Sequence, residues 1–201
     1  RFLSKALPVI EVPDFLSSAE ADELVSVAFQ LGFEPEDDLP KKVRDVDKID
    51  CEDPRCGFHP LVAEVYRRTS ELLGVPPENF ESMEFLRYEK GQHYRPHRDT
   101  GKEELDSSAQ IGSGLRVLTV FFYLSDVVEG GETGFPRAKI EVTPKKGKIV
   151  VWANVKADIW DHTEMAEHTS RPVRQGLKLG ANFWVHPLDA RTPEKFAPNW
   201  C

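Results

Sequence analysis

The order of apolar and polar residues predicts a short strand and two helices in the first part of the chain. The strand is expected over residues 8–15. Apolar positions then recur at helical spacing up to Gly32, which is expected to end the first helix, and Ser17 or Ser18 is its expected N-cap. The predicted core positions of this helix are Ala21, Leu24, Val25, Ala28 and Phe29. The second helix is expected over residues 60–73 and is followed by a glycine.

Between the helices, residues 34–58 show no periodic pattern and are predicted to form a long surface loop. Loops of that length are uncommon unless they are functional or mobile. Cys51 and Cys56 lie in this stretch, and they either close a small loop in an oxidising compartment or stay two free thiols. The third cysteine, Cys201, is expected to be a free thiol.

From residue 82 onward, the pattern changes to the alternation that is typical of strands. Six strands are predicted, over residues 82–95, 116–125, 140–143, 148–152, 168–172 and 176–186. Glycine and proline clusters separate them, most clearly at residues 130–131 and 144–147. Two helices followed by a run of strands predict an α+β fold, with the helices packed on one face of a β-sandwich or jelly roll.

The last predicted strand separates its residues cleanly between two faces. The face predicted to enter the core carries Leu177, Leu179, Ala181, Phe183 and Val185. The opposite face carries Lys178, Gly180, Asn182, Trp184 and His186. A tryptophan beside the lysine argues against a fully solvated surface, so this second face is expected to line a concavity.

The bulk composition fits one well-cored domain over residues 1–201, with 40% apolar residues. Its 34 acidic and 26 basic residues give a formal charge of −8, which argues against a surface that follows nucleic-acid phosphates. No apolar run has the length of a membrane span. The sequence starts at Arg1, which suggests a processed chain and leaves a removed targeting or anchor segment open. The oligomeric state is open as well.

The residues with the clearest chemical potential lie at 85–99, a run that ends in the triplet HRD. Side chains alternate along a strand, so His97 and Asp99 are expected on one face. Two histidines and one carboxylate can occupy one side of a non-haem Fe(II) and leave positions open for a ligand and for oxygen. By spacing alone, His162 and His168 are both candidates for the second histidine.

Four ordered segments within residues 84–187 resemble one enzyme family. They are HYRPHRD, RVLTVFFYLSDVVEGGETGFP, PKKGKIVVW and HTSRPVRQGLKLGANFW. Together they resemble the prolyl 4-hydroxylases, which are Fe(II)/2-oxoglutarate dioxygenases. In that family the distant histidine precedes a proline by four residues and a lysine by ten, which His168, Pro172 and Lys178 fit and His162 does not. The resemblance implies a double-stranded β-helix, or jelly-roll, core with N-terminal helices on one face.

The resemblance also implies roles for individual residues. His97, Asp99 and His168 would hold Fe(II), and Lys178 would bind the distal carboxylate of 2-oxoglutarate. The residues expected around the co-substrate and the metal are Tyr88, Thr119, Tyr123 and Trp184. Those expected to contact the peptide are Tyr94, Arg116 and His186. Without the resemblance, the two co-substrate tyrosines are equally well explained as core aromatics, and Arg116 as a solvated edge charge.

The implied function is hydroxylation of proline at C4 in a proline-rich or collagen-like peptide. The reaction would consume O2 and 2-oxoglutarate and release succinate and CO2, with ascorbate as the expected reductant. Two alternatives remain: the same chemistry on a lysyl residue or a free amino acid, and a non-catalytic β-sandwich binding module. Residues 100–114 follow the first ligand pair and are expected to form a lid. Family habit and a Cys51–Cys56 bridge favour the secretory pathway, including the endoplasmic reticulum, over the cytoplasm.

Overall fold

The computed structural model describes residues 1–4, 7–36, 40–100, 112–157 and 161–191. Most of the predicted lid, residues 101–111, and Cys201 lie outside these ranges. The prediction of a single domain over residues 1–201 stays a prediction. Among the described residues, no helix is both long enough and apolar enough to span a membrane.

Three helices form in the first part of the chain: α1 (Ser18–Leu31), α2 (Pro54–Gly57) and α3 (Pro60–Leu73). Ser17 is the N-cap of α1 and forms a capping box, because its hydroxyl accepts from the Glu20 backbone N–H while the Glu20 carboxylate accepts from the Ser17 N–H. Gly74 ends α3 in the left-handed conformation, with φ of 67°, which glycine adopts without steric cost. These end signals are local, which is why the helix bounds were predictable.

The buried face of α1 differs in part from the prediction. Ala21, Leu24 and Ala28 are buried as expected, and so is Val27. Phe29, predicted to enter the core, is 48% exposed and packs edge-on against Phe33. The buried face of α1 therefore includes Val27 instead of Phe29. Packing against the rest of the protein, rather than the apolar pattern alone, decides which side of the helix is covered.

The largest sheet has eight strands. They are β1 (Phe2–Ser4), β2 (Val9–Val12), β3 (Glu34–Pro35), β5 (Asp47–Asp50), β6 (Glu84–Tyr88), β8 (Leu118–Tyr123), β12 (Ile149–Ala153) and β15 (Lys178–Val185). Their order across the sheet is β1-β2-β12-β8-β15-β6-β5-β3. Neighbouring strands pair antiparallel.

A second sheet of five strands packs against the first. It contains β4 (Arg44–Asp45), β7 (His93–His97), β10 (Thr133–Phe135), β11 (Ile140–Val142) and β13 (His168–Ser170), in the order β11-β10-β13-β7-β4. A separate antiparallel pair joins β9 (Glu129–Gly130) to β14 (Val173–Gln175). The predicted α+β jelly-roll class is confirmed.

Two clusters of buried side chains show how the layers are arranged. One face of the eight-stranded sheet packs with the helices through residues such as Leu24, Val62, Phe122 and Phe183. The other face packs against the five-stranded sheet through Tyr123, Phe135, Val150 and Trp152. The helices thus cover one side of the jelly roll, and the space between the two sheets is left for the site.

Two predictions about the segments on either side of α3 were wrong in detail. Residues 34–58 are not a long loop, because they contain β3, β4, β5 and α2. These strands are short and polar, and β5 is held by antiparallel pairing with β6, so no local periodicity reveals them.

The strand predicted over residues 82–95 is two strands, β6 and β7, which belong to different sheets. A turn at Gly91, with φ of 90°, separates them. The chain therefore bends between Tyr88 in β6 and His97 in β7.

Candidate metal centre and active-site groove

The pairing of β7 with β13 brings two histidines together, with His97 and His168 as directly opposed partners. Asp99 lies two residues beyond the end of β7, in a bend rather than in the strand as predicted. The Oδ1 atom of Asp99 is 3.7 Å from Nε2 of His97 and 3.7 Å from Nε2 of His168. One candidate ligand atom from each residue lies within 4.8 Å of the other two. The structure therefore places His168, and not His162, beside the first pair.

Both rings are held by the backbone in the orientation that a metal requires. Nδ1 of His97 lies 2.8 Å from the carbonyl oxygen of Arg95, and Nδ1 of His168 lies 3.0 Å from that of Ala166. Because a carbonyl oxygen only accepts, each Nδ1 carries the proton and each Nε2 keeps its lone pair for the ion.

The third ligand is oriented by side chains that share its surroundings. Thr119 Oγ1 donates to Oδ2 of Asp99 at 2.6 Å, and Asn154 Nδ2 donates to Thr119 Oγ1 at 2.8 Å. Oδ1 is left to face the histidines. The hydroxyl of Thr119 was expected to contact the co-substrate, but it binds Asp99 and is itself bound by Asn154. No feature of the sequence indicated either contact.

The pKa shifts of His97 and Asp99 suit a divalent cation. Burial, with a further contribution from His168, lowers the pKa of His97 to about 3, so its ring is neutral. Burial would raise the pKa of Asp99, but the two histidines and the Thr119 hydroxyl outweigh it, so the pKa lies below its usual value. Two imidazoles and one carboxylate on one side of the site are a donor set that fits Fe(II).

Lys178 lies at the inner end of a cavity that the metal triad also lines, and the residue is only 1% exposed. Its Nζ donates to Ser170 Oγ at 2.8 Å. The rings of Tyr88, Phe121 and Tyr123 surround the ammonium group at 5.2, 5.1 and 5.9 Å. Burial lowers the pKa of Lys178 to about 7. In the part of the chain that the structure describes, no carboxylate forms a salt bridge with this ammonium group, so the site is suited to receive an anion.

The other residues predicted at the co-substrate take different positions. Tyr88 lines the cavity beside Lys178, whereas the Tyr123 hydroxyl donates to Thr133 Oγ1 at 2.7 Å behind it. Trp184 lines the opposite part of the cavity. Sequence reasoning missed four residues that line the inner end: Phe121, Thr133, Trp152 and Ser170. Ser170 had a usable signal, because it follows His168 by two positions in a strand and so shares its face.

A second polar cluster lies on the outer side of the metal centre. Glu81 accepts from Arg116 at 2.5 and 2.8 Å, and His186 Nε2 lies 2.7 Å from the same carboxylate. Burial opposes ionisation, but the bonds from His186 and Arg116 lower the pKa of Glu81 to about 2. The Arg116 guanidinium stacks 3.8 Å over the Trp184 ring. Glu81, which the sequence did not single out, therefore joins Arg116 and His186, two of the residues predicted to contact a peptide.

Tyr94, the third of those residues, stacks on the His97 ring with centroids 3.5 Å apart. It lines a single cavity of about 1130 Å³ together with the metal triad and Lys178. The cavity continues past Glu81 and between β5 and α3, and we call it the active-site groove.

Comparison with known proteins identifies the family. The model of the 2OG-Fe(II) oxygenase superfamily matches residues 83–186, which is just over half of the chain. The chain belongs to the 2OG-Fe(II) oxygenase superfamily. As in that superfamily, its cofactor is Fe(II) and its co-substrates are 2-oxoglutarate and O2, which the donor set and the buried lysine described above fit.

Similar proteins within this superfamily include prolyl hydroxylases. Prolyl 4-hydroxylase subunit alpha-1 of Homo sapiens is 36% identical over 129 residues, covering 64% of this chain and 24% of that protein. Probable prolyl 4-hydroxylase 8 of Arabidopsis thaliana is 32% identical over 203 residues, covering 86% of this chain and 66% of that protein. The chain thus spans about a quarter of the length of the animal relatives.

A solved structure is similar over nearly the whole domain. The viral collagen prolyl hydroxylase vCPH from Paramecium Bursaria Chlorella virus-1, in its 2OG complex, superposes with a TM-score of 0.73 at 28% identity. The match covers 89% of this chain and 95% of that one. The superfamily assignment therefore rests on the sequence, the fold and the donor set together.

Proposed function

We propose that this oxygenase hydroxylates proline at C4 within a peptide. The observation that carries the proposal is that one continuous groove joins Lys178, the metal triad and an open polar and aromatic outer part. A free amino acid would fill only a small part of such a groove, whereas an extended peptide can lie along it. The prolyl hydroxylases among the relatives support the choice of proline.

The residues of this chain bind and orient the reactants. Lys178 and Ser170 would bind the distal carboxylate of 2-oxoglutarate at the inner end, where the aromatic rings exclude water. Bound Fe(II) would supply the oxidative chemistry: O2 oxidises 2-oxoglutarate to succinate and CO2, and it converts a C–H bond of the substrate to C–OH. His97, Asp99 and His168 would hold the ion on one side, so the substrate approaches from the other.

The outer part of the groove offers surfaces that suit a proline-rich segment. Tyr94 and Trp184 present aromatic rings, on which a pyrrolidine ring packs well. Proline-rich peptides already favour an extended conformation, which lowers the entropy cost of binding.

The proposal is tested with iron-loaded protein, 2-oxoglutarate and a panel of poly-proline, collagen-like and Ser-Pro repeat peptides. Mass spectrometry should locate one added oxygen on proline, together with formation of succinate. Asp99→Ala should abolish both the reaction and the bound metal while the protein stays folded. The matched control is Asp161→Ala, which removes an exposed carboxylate that pairs with Lys156. Oxygen found only on lysyl residues or free amino acids, or peptide binding without turnover, would overturn the proposal.

We also propose that the protein works in the secretory pathway with ascorbate as reductant. Cys51 and Cys56 form a disulfide with Cα atoms 5.2 Å apart, and a structural disulfide suits an oxidising compartment. Alkylation of the protein isolated from its own cells should leave both cysteines unmodified unless a reductant is added. Free Cys51 and Cys56 thiols would favour the cytoplasm instead.

The reductant role of ascorbate is tested separately, by turnover with and without it. Turnover that ascorbate does not prolong would exclude this role.

A further inference from the structure

One wall of the active-site groove carries a set of charged residues that the proposed reaction does not use. We call this wall the acidic arm. It is lined by Arg44, Lys48, Asp50, Glu52 and Glu84, which belong to β4, β5, β6 and the turn after β5. Glu84 and Asp50 share the sheet face that carries Lys178, because Asn182 of β15 pairs in register with Glu84 of β6, which pairs in turn with Asp50 of β5.

The two cations of the acidic arm, Arg44 and Lys48, are bound mainly by a carboxylate outside the groove wall. Glu36 does not line the groove, yet its carboxylate lies 2.7 Å from Arg44 NH1 and 3.1 Å from Lys48 Nζ. Glu36 is itself buried, so it is screened from solvent. Among the described residues, the shortest ion pairs of this cluster are therefore made by a carboxylate that does not line the groove.

Glu84 faces the groove with weaker contacts. Its side chain is 4% exposed. Its nearest donors are Asn182 Nδ2 at 3.2 Å and Arg44 NH2 at 3.3 and 3.4 Å, while Lys48 Nζ is 3.9 Å away. These distances are at or beyond the upper end of good hydrogen bonds, so a buried carboxylate on the groove wall is left incompletely compensated.

The formal charges of the cluster also indicate that its carboxylates are incompletely compensated. Counting Glu36 as well, the described residues of this cluster comprise four carboxylates and two cations, which leaves an excess of negative charge within it. Two further cations border the groove nearby: Arg67 is bound by Glu64 and Glu71 of its own helix, and Arg191 lies over the Tyr66 ring. Burial raises the pKa of Glu84 and of Asp50, as expected where nearby cations do not fully compensate the carboxylates.

We propose that the acidic arm binds a lysine or arginine side chain of the peptide substrate, with Glu84 as the principal acceptor and Asp50 at the groove edge. The inference rests on the proposed function, because it assigns the chemical class of residue that flanks the target proline. A cationic donor would complete the hydrogen bonding of Glu84 and offset the negative charge of the wall. Glu84 then becomes a residue that determines specificity.

The test compares peptides that contain one target proline and, at each position from three before to three after it, either lysine, arginine, glutamine or glutamate. For wild-type enzyme, kcat/KM for the best basic peptide should exceed that of its glutamine counterpart by roughly tenfold or more, and glutamate should be worst. Peptide binding is measured in parallel by fluorescence anisotropy, so the charge preference is scored even without turnover.

Two isosteric variants locate the effect. In Glu84→Gln, kcat/KM for the basic peptide should fall close to that for its glutamine counterpart. The affinity of this variant for 2-oxoglutarate should stay that of the wild type. Glu36→Gln removes a carboxylate from the same cluster but not from the groove wall, and it should keep most of the preference. A wild-type ratio near one in binding and turnover, or an equal loss in both variants, would overturn the inference. Failure to hydroxylate any proline, with the basic preference in binding intact, would instead count against the proposed function alone.

Discussion

Thr119 donates a hydrogen bond of 2.6 Å to Oδ2 of Asp99, and this contact decides which carboxylate oxygen faces the two histidines. Asn154 donates in turn to the Thr119 hydroxyl, so the ligand is held by a chain of two buried bonds. Partners of this kind fix the orientation of a metal ligand and are worth about tenfold to a hundredfold in metal affinity.

Replacement of Thr119 by valine keeps the shape of the side chain and removes the hydroxyl. We expect the affinity for Fe(II), measured under anaerobic conditions, to fall about tenfold to a hundredfold, because Asp99 is then free to rotate. The matched control is Thr69→Val, which removes a buried hydroxyl that donates to Val65 within α3, away from the metal centre. Both variants should lose about 1 kcal/mol of stability, and only the first should lose metal affinity. Equal metal affinities in the two variants would contradict the positioning role of Thr119.

The affinity for 2-oxoglutarate should depend on pH through Lys178. Burial holds the pKa of the unliganded Lys178 at about 7, and a bound carboxylate must raise it. Binding is therefore strongest below pH 7 and should weaken by up to about tenfold for each pH unit above 7, until the pKa of the complex is reached. Calorimetry at pH 8, in buffers of different ionisation enthalpy and with Mn(II) in place of iron, should show proton uptake on binding.

Two variants separate charge from titration at Lys178. Lys178→Met should bind 2-oxoglutarate much more weakly and lose this pH dependence. Lys178→Arg keeps a charge that does not titrate in this range, so whatever binding survives the larger side chain should be flat between pH 7 and 9. A wild-type affinity that does not change over this interval would argue against the lowered pKa.

Glu81 should influence peptide binding without influencing the co-substrate. Its carboxylate holds both Arg116 and His186, and Arg116 covers the Trp184 ring. In Glu81→Gln we expect KM for the peptide to rise about tenfold while KM for 2-oxoglutarate stays constant, because one charged hydrogen-bond acceptor is lost. Glu64→Gln, which alters an exposed ion pair on α3, is the control. A parallel rise in both KM values would indicate general loosening of the site.

The disulfide should stabilise the protein by constraining the unfolded chain. Cys51 and Cys56 are buried beside α2, and the loop that they close is short, with a sequence separation of 5 residues. For a loop of this size the chain-entropy account gives about 2 kcal/mol. Urea denaturation of the Cys51→Ala, Cys56→Ala double variant should show a loss of this order. Reductant should lower the stability of the wild type to the same level and leave the double variant unchanged. A wild type that is insensitive to reductant would show that the bridge contributes little.

Local signals in the sequence were enough to predict several elements. The bounds of α3 were predicted correctly because a proline begins the helix and Gly74 ends it. The two faces of β15 were also predicted correctly, because alternation along a strand is a property of the chain itself. Leu179, Ala181, Phe183 and Val185 enter the core. Lys178, Asn182, Trp184 and His186 line the groove.

The elements that the sequence did not reveal depend on partners far along the chain. The strands β3, β4 and β5 are short and polar, and they depend on pairing: β6 pairs with β5, β7 pairs with β4, and β3 pairs in turn with β5. Glu81 gave no signal of its own, because its importance comes from Arg116 and His186, which are distant in sequence. The acidic arm likewise combines residues from separate strands.

The order of residues along the chain specifies the chemical groups available to this protein: an H-x-D pair, a later histidine and a lysine on the inner face of a strand. Family resemblance was needed to prefer His168, because spacing did not distinguish it from His162. The contact between His97 and His168 depends on the folded protein, through the register of β7 against β13. The folded protein also places Thr119 beside Asp99 and Glu84 on the groove wall. Strand register and sheet order are set by the packing of the whole chain, so no local pattern of residues encodes these contacts.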